Sequence, residues 1–186
     1  MNPRMKIKWL MFCSAVLSAV LLAGCASGRV YDKNYVRAVA VTGSSAKAAV
    51  LAFYDEETEP FASIGSDLDS IIKKTEVSIG KTLFTGHTEL IVLGECDYAE
   101  TLTKMLNEWK VSPSCVVVFG GPYSAYILKN MDVETLKDSI DHAIEQGKAP
   151  KSDIVTVLSG LLGDEGCAEL ASVGEDGFDG IAVIKK

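Results

Sequence analysis

Histidine is scarce in this chain of 186 residues, which contains only His87 and His142. Thr85 and Glu89 flank His87 at a spacing of two, and one carboxylate beside one imidazole does not complete a metal chelate. An approach of His142 to His87 in space stays open. The chain also lacks the Gly-x-Ser-x-Gly pattern of a nucleophile elbow. The sequence therefore predicts no catalytic residue, no metal and no cofactor, and we expect a protein that is not an enzyme.

The main apolar run, residues 9–22, is shorter than the ~20 residues that a membrane-spanning helix needs. Basic residues precede this run, and the small-residue motif "LAGC" follows it. This pattern is typical of a secretory signal peptide, and the final cysteine makes it the lipobox of a bacterial lipoprotein. We predict a signal peptide over residues 1–24, cleavage between Gly24 and Cys25, and lipid attachment at Cys25. The alternative is an uncleaved single-span anchor, and either form holds the following domain at the extracytoplasmic face of a membrane.

Positive charge is in deficit, with 18 Lys and Arg against 25 Asp and Glu. Removal of residues 1–24 takes away three basic residues and no acidic one, which brings the net charge near −10. Such a surface disfavours nucleic acid as a partner. It also attracts anionic lipid poorly. Membrane attachment is therefore expected to depend on the lipid at Cys25.

Cysteine is too sparse for a disulfide framework. Cys13 leaves with the predicted signal peptide and Cys25 takes the lipid, so only Cys96, Cys115 and Cys167 remain. One disulfide is the most that they can form. Three small buried thiols are the expected state, because no closely spaced pair exists.

The pattern after the signal predicts a polar tether over residues 25–34 and a single domain over residues 35–186. Alternating and apolar runs predict a first hairpin over 36–43 and 48–54 and a last hairpin around the Gly-Glu-Asp-Gly turn at 174–177. Capping residues predict helices that start after Ser66, Asp97 and Asp132, and Pro122 begins a further one. Apolar periodicity predicts another helix from Ser152 to the stop at Gly163.

Segments 83–93, 98–110 and 115–119 read as strand, helix and strand, which predicts a βαβ unit with parallel strands. The fold class is therefore α/β (α+β): a mixed β-sheet flanked by helices, with a βαβ unit and terminal β-hairpins.

Two glycine-containing segments invite a ligand interpretation. Gly80-Lys81-Thr82 lies between a predicted helix and a predicted strand, which is the reverse of the strand–loop–helix order of a phosphate-binding loop. In "FGGPYS", Gly120, Gly121 and Ser124 precede a predicted helix and form a possible ligand or anion pocket. A plain strand-to-helix turn is the alternative for that segment.

Five segments in the same order resemble the Ger(x)C family of spore germination lipoproteins, the C subunits of nutrient germinant receptors. They are "VRAVAV", "GKTLFTGHTELIVLGE", "VVVFGGPYSAYILKN", "GKAPKSDIVTVLSGLLG" and "GFDGIAVIKK". The likeness covers the N-terminal domain of that family and places His87 on a core strand of the scaffold.

The resemblance implies a lipoprotein on the outer face of the spore inner membrane, in contact with the integral membrane A and B subunits of the receptor. Its role would be to support receptor assembly or signalling by protein contact. The alternative function is an independent ligand-binding envelope lipoprotein with its pocket near residues 120–124.

Substitution Cys25→Ala is expected to abolish incorporation of labelled palmitate and to release the chain from the membrane fraction, because only a thiol forms the thioether. Cys13→Ala makes the same change within the apolar run and should leave labelling intact. Labelled palmitate on the Cys25→Ala chain would contradict the lipobox assignment.

Overall fold

The computed structural model describes residues 33–44, 47–55 and 57–186. The predicted signal peptide, Gly24, Cys25 and most of the tether lie outside these residues. Lys33–Lys186 forms one compact unit of eight strands and five helices. Its mixed α/β fold confirms the predicted fold class. The first strand begins at Lys33, two residues before the predicted start of the domain. Among the described residues, no helix is both long and apolar enough to cross a membrane.

The strands are β1 (Lys33–Thr42), β2 (Lys47–Phe53), β3 (Phe61–Gly65), β4 (Thr82–Phe84), β5 (Leu90–Leu93), β6 (Val116–Phe119), β7 (Cys167–Gly174) and β8 (Gly177–Lys185). The helices are α1 (Leu68–Ile79), α2 (Tyr98–Asn107), α3 (Ser124–Asn130), α4 (Val133–Glu145) and α5 (Ile154–Leu162). A 3-10 turn, Gly121–Tyr123, leads into α3.

The sheet has the order β3-β2-β1-β5-β6-β7-β8, and β4 pairs separately with the start of β1. β1, β5, β6 and β7 run parallel to one another. β2 is antiparallel to β1, β3 to β2, and β8 to β7. The mixed sheet, both terminal hairpins and the β5-α2-β6 unit with its parallel strands are thereby confirmed.

Helices cover the sheet on both faces. Along β5, Ile91 and Leu93 belong to one apolar cluster with side chains of α1, α2 and α5. Leu90 and Val92 belong to a second cluster with side chains of α3 and α4. Because successive side chains of a strand point to opposite faces, the two clusters lie on opposite sides of the sheet. All four residues of β5 are fully buried, which explains why this strand reads as an unbroken apolar run.

An aspartate caps each of the four longest helices that the structure describes, α1, α2, α4 and α5. The carboxylates of Asp67, Asp97, Asp132 and Asp153 each accept a hydrogen bond from the backbone N–H three residues later. Caps of this kind contribute about 0.5–2 kcal/mol each. The predicted starts at Asp97 and Asp132 are confirmed.

Two predicted helix starts are wrong by one or two residues. Asp67 caps α1 in place of Ser66, whose hydroxyl donates to the Asp67 carboxylate. α5 begins at Ile154 with Asp153 as its cap, and Ser152, the predicted first residue, is buried and donates to the carbonyl of Val117 at 2.7 Å. Ser152 therefore fixes the approach to α5 against the sheet instead of capping the helix.

The prediction of one core strand over residues 83–93 is wrong. The structure divides it into β4 and β5, and His87 lies in the exposed turn between them. Thr88 closes this turn, since both its N–H and its hydroxyl donate to the carbonyl of Thr85. β4 pairs with residues 33–35 of β1, and β5 pairs with residues 38–41 of the same strand. The turn between β4 and β5 therefore lies beside the shift in register of β1 between Val36 and Ala38.

Three further expectations need correction. α2 ends at Asn107 rather than near residue 110, and Lys110 adopts a positive φ of 58°. β3 has no counterpart in the sequence-based assignment. Cys96, Cys115 and Cys167 are all free, but only Cys115 is buried and the other two are half-buried.

Replacement of Ile91 by alanine removes a fully buried side chain from the central parallel strands. It should lower the free energy of unfolding by about 2–5 kcal/mol. Ile64→Ala makes the same chemical change at a side chain that is 66% exposed, and should cost about 0.5 kcal/mol or less. Urea titrations of the two variants would measure the difference, and equal losses would contradict the assignment of β5 to the centre of the core.

Candidate functional site

A group of aromatic and charged side chains lies at the end of the sheet where β1, β5 and β6 begin. This end is here called the amino edge. It contains the start of β1, the residues after β2, and the turn of residues 85–89 between β4 and β5. This turn carries the centre of the motif "GKTLFTGHTELIVLGE". The opposite end, where the same strands finish, is the carboxyl edge.

Three rings form a cluster on the amino edge, here called the aromatic cluster: Tyr35, Phe84 and His87. The centroids of Tyr35 and Phe84 lie 5.4 Å apart in an edge-to-face arrangement, and those of Phe84 and His87 lie 5.2 Å apart. The ammonium of Lys33 lies 5.8 Å from the centroid of Phe84. Phe84 and His87 are exposed. The apolar ring of Phe84 therefore faces solvent, and its contacts with Tyr35, His87 and Lys33 hold it in place.

Tyr54 ties the end of β2 to the same turn. Its hydroxyl donates to the carbonyl of His87 at 2.9 Å, and its backbone N–H donates to the carbonyl of Tyr35 at 3.1 Å. Burial, followed by the nearby carboxylate of Glu89, raises the pKa of Tyr54 to about 12. The phenol therefore acts as a lasting hydrogen-bond donor that fixes the turn, and it is poorly suited to act as a base.

Arg37 on β1 is the positively charged residue that pairs with the turn of residues 85–89. Its guanidinium lies 3.4 Å from the carboxylates of both Glu89 and Glu134, and 5.5 Å from the ring centroid of Tyr54. The Arg37 side chain is only 16% exposed. Burial opposes its charge, but hydrogen bonds to the two glutamates outweigh this effect and raise the pKa of Arg37. The ion pairs join β1 to the 85–89 turn and to α4.

A cleft of about 370 Å³ opens beside this network. Its lining includes Tyr54, His87, Glu89, Cys115 and Lys137. Burial, reinforced by the charge of Glu89, raises the pKa of the Cys115 thiol above its ordinary value. Lys137 is engaged by Asp141 at 2.7 Å. The cleft thus holds a protonated thiol and a paired lysine, an arrangement that does not activate a nucleophile.

The predicted pocket residues Gly120, Gly121 and Ser124 lie at the carboxyl edge. A methyl group at Gly120 would approach Val92 to 2.7 Å and Ser124 to 2.9 Å, and Ser124 is buried. Gly121 has a φ of +52°, which favours glycine. The N–H of Ser124 bonds back to Gly121. Among the residues that the structure describes, these three are not in the lining of the cleft of about 370 Å³, and the alternative of a plain strand-to-helix turn accounts for their geometry.

The remaining candidates occupy separate structural positions. Gly80 ends α1 in the left-handed conformation, with a φ of 68°, and Thr82 starts β4. His142 is exposed on α4 with its Nε2 atom 2.5 Å from the amide nitrogen of Gln146. Within the part of the chain that the structure describes, no three His, Cys, Asp or Glu side chains are grouped to hold a metal ion.

Sequence reasoning did not identify Tyr35, Arg37 or Tyr54 as members of a site. One signal was available: Arg37 is the only charge within the apolar segment "VRAVAV". A charged residue inside a buried strand needs a partner, but the partners Glu89 and Glu134 are 52 and 97 residues away in the chain.

Because the pKa of Tyr54 rises from 10 to about 12 on folding, the folded state holds this proton more tightly than the unfolded state does. Stability that is fully present below pH 10 should therefore be lost as the pH rises towards 12. Tyr54→Phe should reduce this alkaline loss in urea titrations, and Tyr126→Phe, a half-exposed residue of α3, serves as the control. Identical pH dependence in wild type and Tyr54→Phe would contradict the assignment.

Comparison of the chain with protein-family models, curated proteins and solved structures found no match. The likeness to Ger(x)C proteins therefore rests on the quoted motifs alone.

Proposed function

We propose that this chain is a lipid-anchored subunit or accessory protein of a nutrient germinant receptor and that it acts in spore germination by protein contact. Its mature form begins at Cys25, and the lipid there holds the domain on the outer face of the spore inner membrane. The partners are the integral membrane A and B subunits of the receptor, and the chain contributes to their assembly or signalling without catalysing a reaction.

One observation carries this proposal: the segments that resemble the family coincide with successive elements of this fold. "GKTLFTGHTELIVLGE" begins at Gly80, the residue that caps the end of α1, and contains β4, the 85–89 turn and β5. "VVVFGGPYSAYILKN" is β6, the 3-10 turn and α3, and "GFDGIAVIKK" contains β8. The five segments thus cover the central strands and one outer strand, so the likeness extends over the architecture and is not confined to one loop.

The chemistry at the amino edge also supports a role without catalysis. Cys115 keeps its proton because it is buried, and Tyr54 keeps its proton as a donor to the 85–89 turn. Arg37 and Lys137 are both held in ion pairs. The polar groups of this edge therefore stabilise the fold and leave no free acid–base pair among them.

Protein contact is supported by apolar side chains on the two outer strands. On β3, Ile64 is 66% exposed and lies beside Val77 of α1 in a groove of about 490 Å³. On β8, Ile181 and Val183 are each more than half exposed. Exposed apolar groups at sheet edges are common sites of association, so these two strands are the surfaces at which we expect the receptor subunits to bind.

An independent ligand-binding lipoprotein is the competing function. It requires an open pocket near residues 120–124, where the backbone of Gly120 packs so closely against Val92 and Ser124 that no side chain fits between them. The packing at the carboxyl edge therefore favours the receptor component over a binding protein of this kind.

Spores that lack this chain, or that carry Cys25→Ala, are expected to lose nutrient-triggered release of dipicolinic acid, because the domain is no longer held beside its partners. They should still germinate with a receptor-independent stimulus. Cys13→Ala spores should respond to nutrients as wild type, which shows that a cysteine change in the signal region is harmless by itself. A full nutrient response in the deletion strain would overturn the proposed function.

A further inference from the structure

The distance between the anchor and the domain is limited by covalent geometry. Seven residues separate Cys25 from Lys33, at which β1 begins. An extended chain advances at most about 3.6 Å per residue, so Lys33 lies no further than ~29 Å from the lipidated cysteine. This step rests on the proposed function, because it needs the lipid at Cys25.

The direction in which β1 runs determines which end of the domain lies nearer to the lipid anchor. Lys33 is at the amino edge, and β1 continues for ten residues to Thr42 at the carboxyl edge. At about 3.3 Å per residue the strand is roughly 33 Å long. The connection therefore keeps Lys33 and the amino edge within ~29 Å of the lipid, and the carboxyl edge lies a further strand length along the sheet.

The amino edge carries the side chains that suit a membrane interface. Phe84 is 36% exposed and Tyr54 is 39% exposed, and His87 is exposed between them. Tyrosine rings, which combine an apolar body with a polar tip, collect at the level of lipid headgroups, and the Phe84 ring adds apolar surface of the kind that interfacial segments bury. Lys33, next to the Phe84 ring, adds an ammonium that can face phosphate.

Two carboxylates of the amino edge that the structure describes have cationic neighbours. Asp55 lies 4.0 Å from the ammonium of Lys81, and Glu89 lies 3.4 Å from the guanidinium of Arg37. Local repulsion from phosphate is thus reduced. Because the mature chain is acidic as a whole, contact with lipid must depend on the rings rather than on attraction to anionic headgroups.

We propose that the amino edge, with Phe84 and His87 foremost, lies in the headgroup layer of the membrane that holds the lipid of Cys25. The bilayer itself is the partner of this surface. The outer strands β3 and β8 then remain available for the receptor subunits.

The test places a tryptophan at each end of the domain in the lipidated, full-length mature chain. Phe84→Trp reports on the amino edge, and Tyr123→Trp, at a 57% exposed aromatic of the carboxyl edge, is the matched control. Both variants retain Trp109, which is buried and gives a constant background. The proteins are reconstituted in phosphatidylcholine vesicles with brominated acyl chains, which quench nearby indoles.

Phe84→Trp should be quenched at least twofold more than Tyr123→Trp, and addition of phosphatidylglycerol should change this ratio little. Circular dichroism checks that both variants are folded. If both proteins sediment with the vesicles but are quenched equally, the proposed contact is overturned while the lipid anchor stands. If neither sediments with the vesicles, the anchor fails, and the proposed function and this contact fail with it.

Discussion

The structure depends on the parallel pairing of β1 with β5 at the centre of the sheet. Both strands are covered on both faces, so water cannot satisfy their backbone groups and each N–H and C=O must find a partner in the sheet. The pairing continues beyond the strands, where Gly94 donates to Val41 and Gly43 donates to Glu95. This ladder fixes the register in which the turn of residues 85–89 meets the start of β1, and hence the geometry of the amino edge.

Small residues on one face of β1 complete this arrangement. Ala38 and Ala40 belong to the cluster with α3 and α4, whereas Val39 and Val41 face α1, α2 and α5. The alternation of small and larger side chains is visible in "VRAVAVTG". The smaller side chains leave more room over β1 for α3 and α4 than the valines leave for the helices on the other face.

Local patterns were sufficient for much of the fold. The hairpins, the βαβ unit and the starts of α2 and α4 follow from turn residues, capping aspartates and apolar periodicity, all of which act within a few residues. The division of 83–93 into two strands could not be predicted in this way, because it follows from pairing with β1, some 50 residues earlier. β3 is stabilised by β2 and α1 and has little sequence signal of its own.

The candidate site was harder to predict for the same reason. His87 was noticed, but the aromatic cluster exists only because β4 lies beside residues 33–35 of β1. The ion pairs of Arg37 with Glu89 and Glu134 bring together three distant parts of the chain. Spacing in the sequence carries no information about such contacts.

The aspartate caps also give the domain a common sensitivity to acid. Backbone N–H groups, donated by Ser70, Thr135 and Thr156, lower the pKa of Asp67, Asp132 and Asp153 below the ordinary value. Their contribution is therefore complete above the pKa of the unfolded chain and is lost as the pH falls through the lowered values. Since α1 and α5 cover one face of the sheet and α4 the other, acidification weakens the capping of helices in both layers.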